Sequence, residues 1–242
     1  MILNINTNYL EDISFMFGGS KIDQIKLYEI HLNSSNVKNM SYMFYQCSHL
    51  IEFNYSVLNT SKVEDMSHMF DSCESLINIY SDNIETKNVK SMSGLFQNCI
   101  SLKEINLNNF DTISVNDMSS MFNGCNSLES LDMTKFNTDN VVNISYIFSN
   151  CRNLNNLDLR KFNTSKVIDM SYIFYFMTDE ESLDISNFDT TKVKTKSYLI
   201  SNCNLLKNIN INIISLNIKM DFNHRIFNIF FKIIISLKGF FL

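Results

Sequence analysis

Apolar residues along this chain fall into one arrangement that keeps returning. Met118, Met121, Phe122 and Cys125 are spaced i, i+3, i+4, i+7, which is one face of a helix. The residue just before each such run is Asn39, Asp65, Ser91, Asp117, Asn143, Asp169 or Thr195. Each has a side-chain oxygen able to accept from the free amides of a first helical turn. The spacing predicts a helix of about eight residues, too short to stand without packing. Where it should stop, Asn98, Gly124, Asn150 and Asn202 tolerate a left-handed backbone. Next, Leu131-Asp132-Met133 and Leu157-Asp158-Leu159 alternate apolar and polar, predicting a short strand with one buried face. A turn at Phe-Asn/Asp-Thr follows, and a valine re-enters the core.

The arrangement is a lattice. Cysteines stand at 47, 73, 99, 125, 151 and 203, in steps of 26 residues with one double step, and Met177 fills the gap. Val37, Val63, Val89, Val115, Val141, Val167 and Val193 form a second column, and Phe44, Phe70, Phe96, Phe122, Phe148 and Phe174 a third. A disulfide framework has irregular spacings, so these cysteines read as core residues. A period of 26 residues lies in the leucine-rich-repeat window. The expected fold is α/β: a leucine-rich-repeat-like solenoid with one short parallel β-strand and one short helix per 26-residue repeat. Successive strands should lie about 4.8 Å apart. Residues 1–36 read as a degenerate N-terminal repeat or cap, 37–212 as seven stacked repeats, and 213–242 as an apolar tail or cap. In the sixth repeat Glu180 stands where a leucine belongs, which predicts a loose rung. The segment 225–242 is very apolar but broken by Asn228, Lys232 and Lys238. It is short for a membrane span, leaving a capping segment, a membrane-associating helix or a disordered end as alternatives.

The columns M-S-x-M-F-x2-C-x2-L-x2-L-x-L-x2-F-[DN]-T, carried by "SYMFYQCSHL", "SSMFNGCNSLESLDMTKFNTDNV" and "SYIFSNCRNLNNLDLRKFNTSKV", resemble the BspA-like leucine-rich repeat proteins. The branch most similar is that of mycoplasma surface lipoproteins. The resemblance implies a solenoid displayed at a cell surface and used for adhesion or protein binding. It implies no shared catalytic residues.

Composition changes the picture in a few places. Proline is absent and there are 5 glycines, so Asn, Asp, Ser and Thr must make the turns. A net charge of −5 argues against a nucleic-acid partner. The start, MILNINTNYLEDISFMF, has neither a basic nor a continuous apolar signal region. The expectation is therefore either a cytosolic protein or one whose export segment is absent from this chain. Met66, His68, Met69 and Cys73 are the residue types of a soft-metal site. They are also one turn of the repeated core, with His68 as its variable outward residue, so no metal or other cofactor is expected. Serine and threonine columns should bond backbone groups between turns. With no triad, phosphate loop or metal cluster, no enzymatic activity is expected.

The outward strand positions carry what remains. Tyr80, Asn106, Asp132, Asp158 and Asp184 lie between the inward residues, flanked by Glu104 and Arg160 among others. Asp132, Asp158 and Asp184 should stack one strand apart, and like charges so opposed are unfavourable. A cation, a basic partner, Arg160 or water could offset that. This face is either solvated sheet or a binding ridge. The expected function is a non-enzymatic interaction module binding a protein partner, at a cell surface by resemblance; the alternative is an intracellular scaffold or effector with a cytosolic partner.

Overall fold

The computed structural model describes residues 3–5, 7, 9–20 and 30–211; the apolar tail at 213–242 lies outside the described residues. Eight stacked residues show how the chain is wound. Asp12 pairs in parallel with Asn39, Asn39 with Asp65, and the series runs on through Ser91, Asp117, Asn143 and Asp169 to Thr195. The lattice of the sequence is thus a lattice in space, each repeat one rung of a right-through solenoid.

The helix expected in each rung is not there: the described residues contain no α-helix, only one 3₁₀ turn at Tyr55–Val57. Its place is taken by a string of tight turns. In one rung the amides of Met43, Tyr45 and Cys47 bond back three residues to Met40, Tyr42 and Phe44. The alternate amides of Met40, Tyr42, Phe44 and Gln46 instead reach carbonyls of Asp65, Ser67, Met69 and Asp71 in the next rung. Tyr42 and Gln46 have φ of 58° and 57°, as a type II turn requires of its third residue. Equivalent left-handed pairs recur along the chain, as at His68 and Ser72 or at Tyr172 and Phe176. An eight-residue helix would leave its first four N–H and last four C=O groups orphaned. Turns that bond across rungs leave far fewer, which outweighs about 1–2 kcal/mol for each non-glycine left-handed residue. The expected helix stops do take the left-handed conformation, at Asn98, Gly124, Asn150 and Asn202. The expected caps also act, but on a turn: Asp65, Asp117 and Asp169 each accept from the amide of the serine two residues on.

Packing follows the columns. Phe17, Phe44, Phe70, Phe96, Phe122, Phe148 and Phe174 stack nearly face to face, with centroids 5.4–6.4 Å apart. Each buried cysteine donates its S–H to a phenylalanine carbonyl of the preceding rung, Cys125 to Phe96 and Cys151 to Phe122 among them. The carbonyls of Phe44, Phe70, Phe96 and Phe122 also accept the cysteine amide of their own rung. Burial pushes the Cys125 thiol up to about 12 and Cys203 to about 11, so these sulfurs are core atoms and poor nucleophiles. Buried threonines tie the opposite corner: Thr138 Oγ1 donates to the Asn163 carbonyl and accepts the Asn163 amide.

The strand side departs from expectation. Parallel pairing is present between β1 (Leu3–Ile5) and β2 (Ile30–Leu32), and between β3 (Glu52–Asn54) and β4 (Asn78–Tyr80). It returns only at β6 (Ser182–Ile185) with β8 (Asn208–Ile211); β5 (Phe174–Tyr175) and β7 (Ile200–Ser201) pair in the turn column. Segments 104–106, 130–132 and 156–158 form no strand, so the continuous parallel ladder is interrupted in the middle. Ser81 stands where the break begins. It occupies a column held elsewhere by Tyr55, Leu107, Met133, Leu159, Ile185 and Ile211, and its buried hydroxyl donates to the Asn106 carbonyl at 2.8 Å. Ile105, next to this carbonyl, is half-buried where its column mates are buried.

Glu180 also corrects the sequence reading. The sixth rung is not loosened by it; the side chain folds inward, 3% exposed. Its two oxygens accept the amides of Leu157 and Ser182, each at 3.2 Å. Burial raises its pKa despite these amides. A carboxyl whose folded pKa is raised favours folding most below its unfolded pKa, and that contribution is lost as pH rises through the folded value. Glu180→Gln is therefore expected to cost more at pH 4 than at pH 7 in urea denaturation.

Candidate functional site

The interrupted part of the strand side forms a groove of about 430 Å³. Tyr80, Glu104, Asn106 and Asp132 line it, with Ile105, Leu107, Asn108 and Ser130. Four of the seven residues predicted from sequence are thus brought together. β4 sets one wall and presents Tyr80, whose side chain is 46% exposed. The floor is apolar because Ile79, Ile105 and Leu107 point inward. The rim is polar and carries two carboxylates and no cation.

Two rim residues are fixed by their own turns. Asn106 accepts the Asn108 amide, and Asp132 accepts both the amide and the hydroxyl of Thr134, at 2.9 and 2.7 Å. The Thr134 bonds hold the Asp132 carboxyl below its usual range, with smaller help from Lys135 and Lys161. It is ionised at neutral pH. The Glu104 carboxylate makes no hydrogen bond or ion pair among the described residues.

The other three predicted residues lie elsewhere. Asp158 is taken up by Arg160, which donates Nε to Oδ1 and Nη2 to Oδ2 at 2.9 and 2.7 Å. The Arg160 bonds hold Asp158 at about 2. Burial opposes ionisation of Asp184, but the hydroxyl and amide of Ser186 and the Asn210 side chain outweigh it, leaving its pKa low. Each of the three aspartates accepts the amide two residues on and so caps the turn that follows it. Residues the sequence reading passed over are Ser81 and Ile105, while Asn108 and Ser130 fall among its flanking outward positions. Ser81 was visible as the one small polar residue in an apolar column.

His68 lies on the opposite side. Its Nδ1 donates to Asp71 Oδ2 at 2.9 Å, and its ring stacks on Tyr42 with centroids 4.7 Å apart. Gly94 leaves room for it: a Cβ there would sit 2.4 Å from Nδ1. The column is aromatic in two blocks, Phe15–Tyr42–His68 and Tyr146–Tyr172–Tyr198. The sulfurs of Met66, Met69 and Cys73 are buried and turned to the core. Among the described residues no group of three or more His, Cys, Asp or Glu could hold a metal ion, and no helix is long and apolar enough to cross a membrane.

Comparison with known proteins agrees with the repeat. The family described as "Mycoplasma protein of unknown function, DUF285" matches over residues 1–104 and again over 90–214. The chain belongs to this family. The DUF285 match covers the same columns that resemble the mycoplasma branch of BspA-like repeats. No curated protein matches. A solved structure described as a leucine-rich repeat protein from Bacteroides ovatus ATCC 8483 is similar at 20% identity with a TM-score of 0.42. The likeness spans 87% of this chain and 63% of that one.

Proposed function

We propose that this DUF285 chain is a non-enzymatic protein-binding module, displayed at a cell surface as an adhesin, that meets its partner through the strand side. The observation that carries this reading is the groove joining an exposed tyrosine and two carboxylates, with no cation in its lining, over an apolar floor. That is the composition of a recognition surface: an aromatic anchor with an apolar body, and polar groups that set orientation. Rungs bonded to each other hold these side chains on a stiff support. The potential nucleophiles are committed elsewhere, the thiols to phenylalanine carbonyls and the threonine hydroxyls to backbone groups. The repeat's resemblance supports surface display.

Microspheres coated with the full chain are expected to adhere to cultured animal cells. The Tyr80→Ala, Glu104→Gln, Asp132→Asn triple variant should lower adhesion about tenfold, as a loss of 1.4 kcal/mol would, with its thermal midpoint unchanged. Equal adhesion by the two coatings would remove this face from the function. Trypsin added to intact producing cells should degrade the chain, and survival of the chain there would place it inside.

A further inference from the structure

The groove is bounded by backbone as much as by side chains. Among the described residues, the amides of Glu104, Ile105, Asn106 and Leu107 donate to nothing, and neither do those of Ser130, Leu131, Asp132 and Met133. Only the Glu129 amide, reaching the Lys103 carbonyl at 2.9 Å, ties these two rungs by backbone on this side. No backbone bond joins β4 to segment 104–107. Two adjoining extended segments thus offer donors of the kind that parallel pairing uses up in β3–β4 and β6–β8. Buried donors without partners are costly, and Leu107, Leu131 and Met133 are buried residues.

The chain itself shows what such a segment takes. One rung further on, the Leu157 amide has no neighbouring strand either, and Glu180 reaches in from 23 residues away to accept it. No side chain does this for the rungs at 104–107 and 130–133. There water or a partner's carbonyl supplies the acceptor.

We infer that the groove takes an extended, basic segment of the protein partner, which adds to the broken sheet as a strand. Its carbonyls accept the free amides, alternate side chains rest on Ile105 and the apolar floor, and the others, lysine or arginine, face Glu104 and Asp132. Main-chain pairing would supply affinity and the alternation specificity, as in other cases of strand addition. Charge argues for a basic occupant: the rim holds two carboxylates and no cation, and Arg160 is already held by Asp158. This rests on the proposed binding face but goes further, because it assigns the contact to backbone.

Amide hydrogen exchange in the full-length protein tests it. The probe is a capped octapeptide of alternating lysine and valine, with an alternating glutamate and valine octapeptide beside it. Without peptide, the amides of 104–107 and 130–133 should exchange fast compared with those of the turn column. At saturating lysine–valine peptide they should slow by about tenfold or more. The glutamate–valine peptide should give no protection, and Glu104→Gln with Asp132→Asn should weaken it for the lysine–valine peptide. Protection already present in the free protein overturns the inference, and so does a failure of the lysine–valine peptide to bind. If that peptide binds while these amides stay fast, strand addition is wrong and the side-chain face of the proposed function remains. Protection without cell adhesion would do the reverse, keeping the peptide groove and removing the adhesin.

Discussion

Phe122→Ala is expected to destabilise the chain by about 3–5 kcal/mol, the usual cost of emptying a phenylalanine site in a packed core. Phe122 has no exposed surface, and its ring stacks on Phe96 at 5.7 Å and on Phe148 at 6.4 Å. The rings are tied to backbones that bond rung to rung, so the neighbours cannot close the gap without breaking those bonds. A fall in thermal midpoint on the order of 10 °C should result for a chain of this length. Because rungs contact only their neighbours, the central site also controls coupling between the two ends. A single thermal transition in the wild type should split or broaden in the variant. Tyr80→Ala is the control, since that side chain is exposed. Calorimetry that finds Phe122→Ala as mild as Tyr80→Ala would remove the stack as a source of stability.

Thr138→Val should cost about 2–4 kcal/mol, though it changes almost no volume. The Thr138 hydroxyl accepts the Asn163 amide at 2.7 Å and donates to the Asn163 carbonyl at 3.1 Å. Valine keeps the shape and orphans both groups against a buried methyl. The loss is felt at a junction between rungs, where Thr138 itself is only 3% exposed. Thr134→Val offers the comparison: its hydroxyl bonds the exposed carboxylate of Asp132, so water can replace it and the cost should stay below about 1 kcal/mol. Urea denaturation of the two variants measures the difference, and equal midpoints would mean that the threonine column is decoration.

Much of this architecture was legible in single columns. The acceptor role of Asp65 and Asp117 follows from a short carboxylate before an apolar run, and the left-handed backbone at Asn98 and Gly124 follows from residue type. The burial of Cys125 and the bonding of Thr138 between turns were legible as well. The helix was misread because apolar residues at i, i+3, i+4 and i+7 also point inward from two successive turns with left-handed third residues. Spacing reports which side chains share a face. Where the intervening amides go is decided by the neighbouring rung, and here they go across. The site was half legible for a similar reason. Alternation placed Tyr80, Glu104, Asn106 and Asp132 outward, yet nothing in it separated them from Asp158 and Asp184. That separation comes from where the ladder breaks and from Arg160 folding onto Asp158 of its own rung.

Bonds that run between rungs also fix how the molecule responds to force. A rung pulled free keeps none of its cross-rung bonds, so a terminal repeat can leave while its neighbours stay whole. Stretched by its ends, the chain would lengthen in a sawtooth. Each tooth would release one 26-residue repeat, or on the order of 90 Å of contour. A tether that gives way in such steps absorbs a tug without detaching all at once.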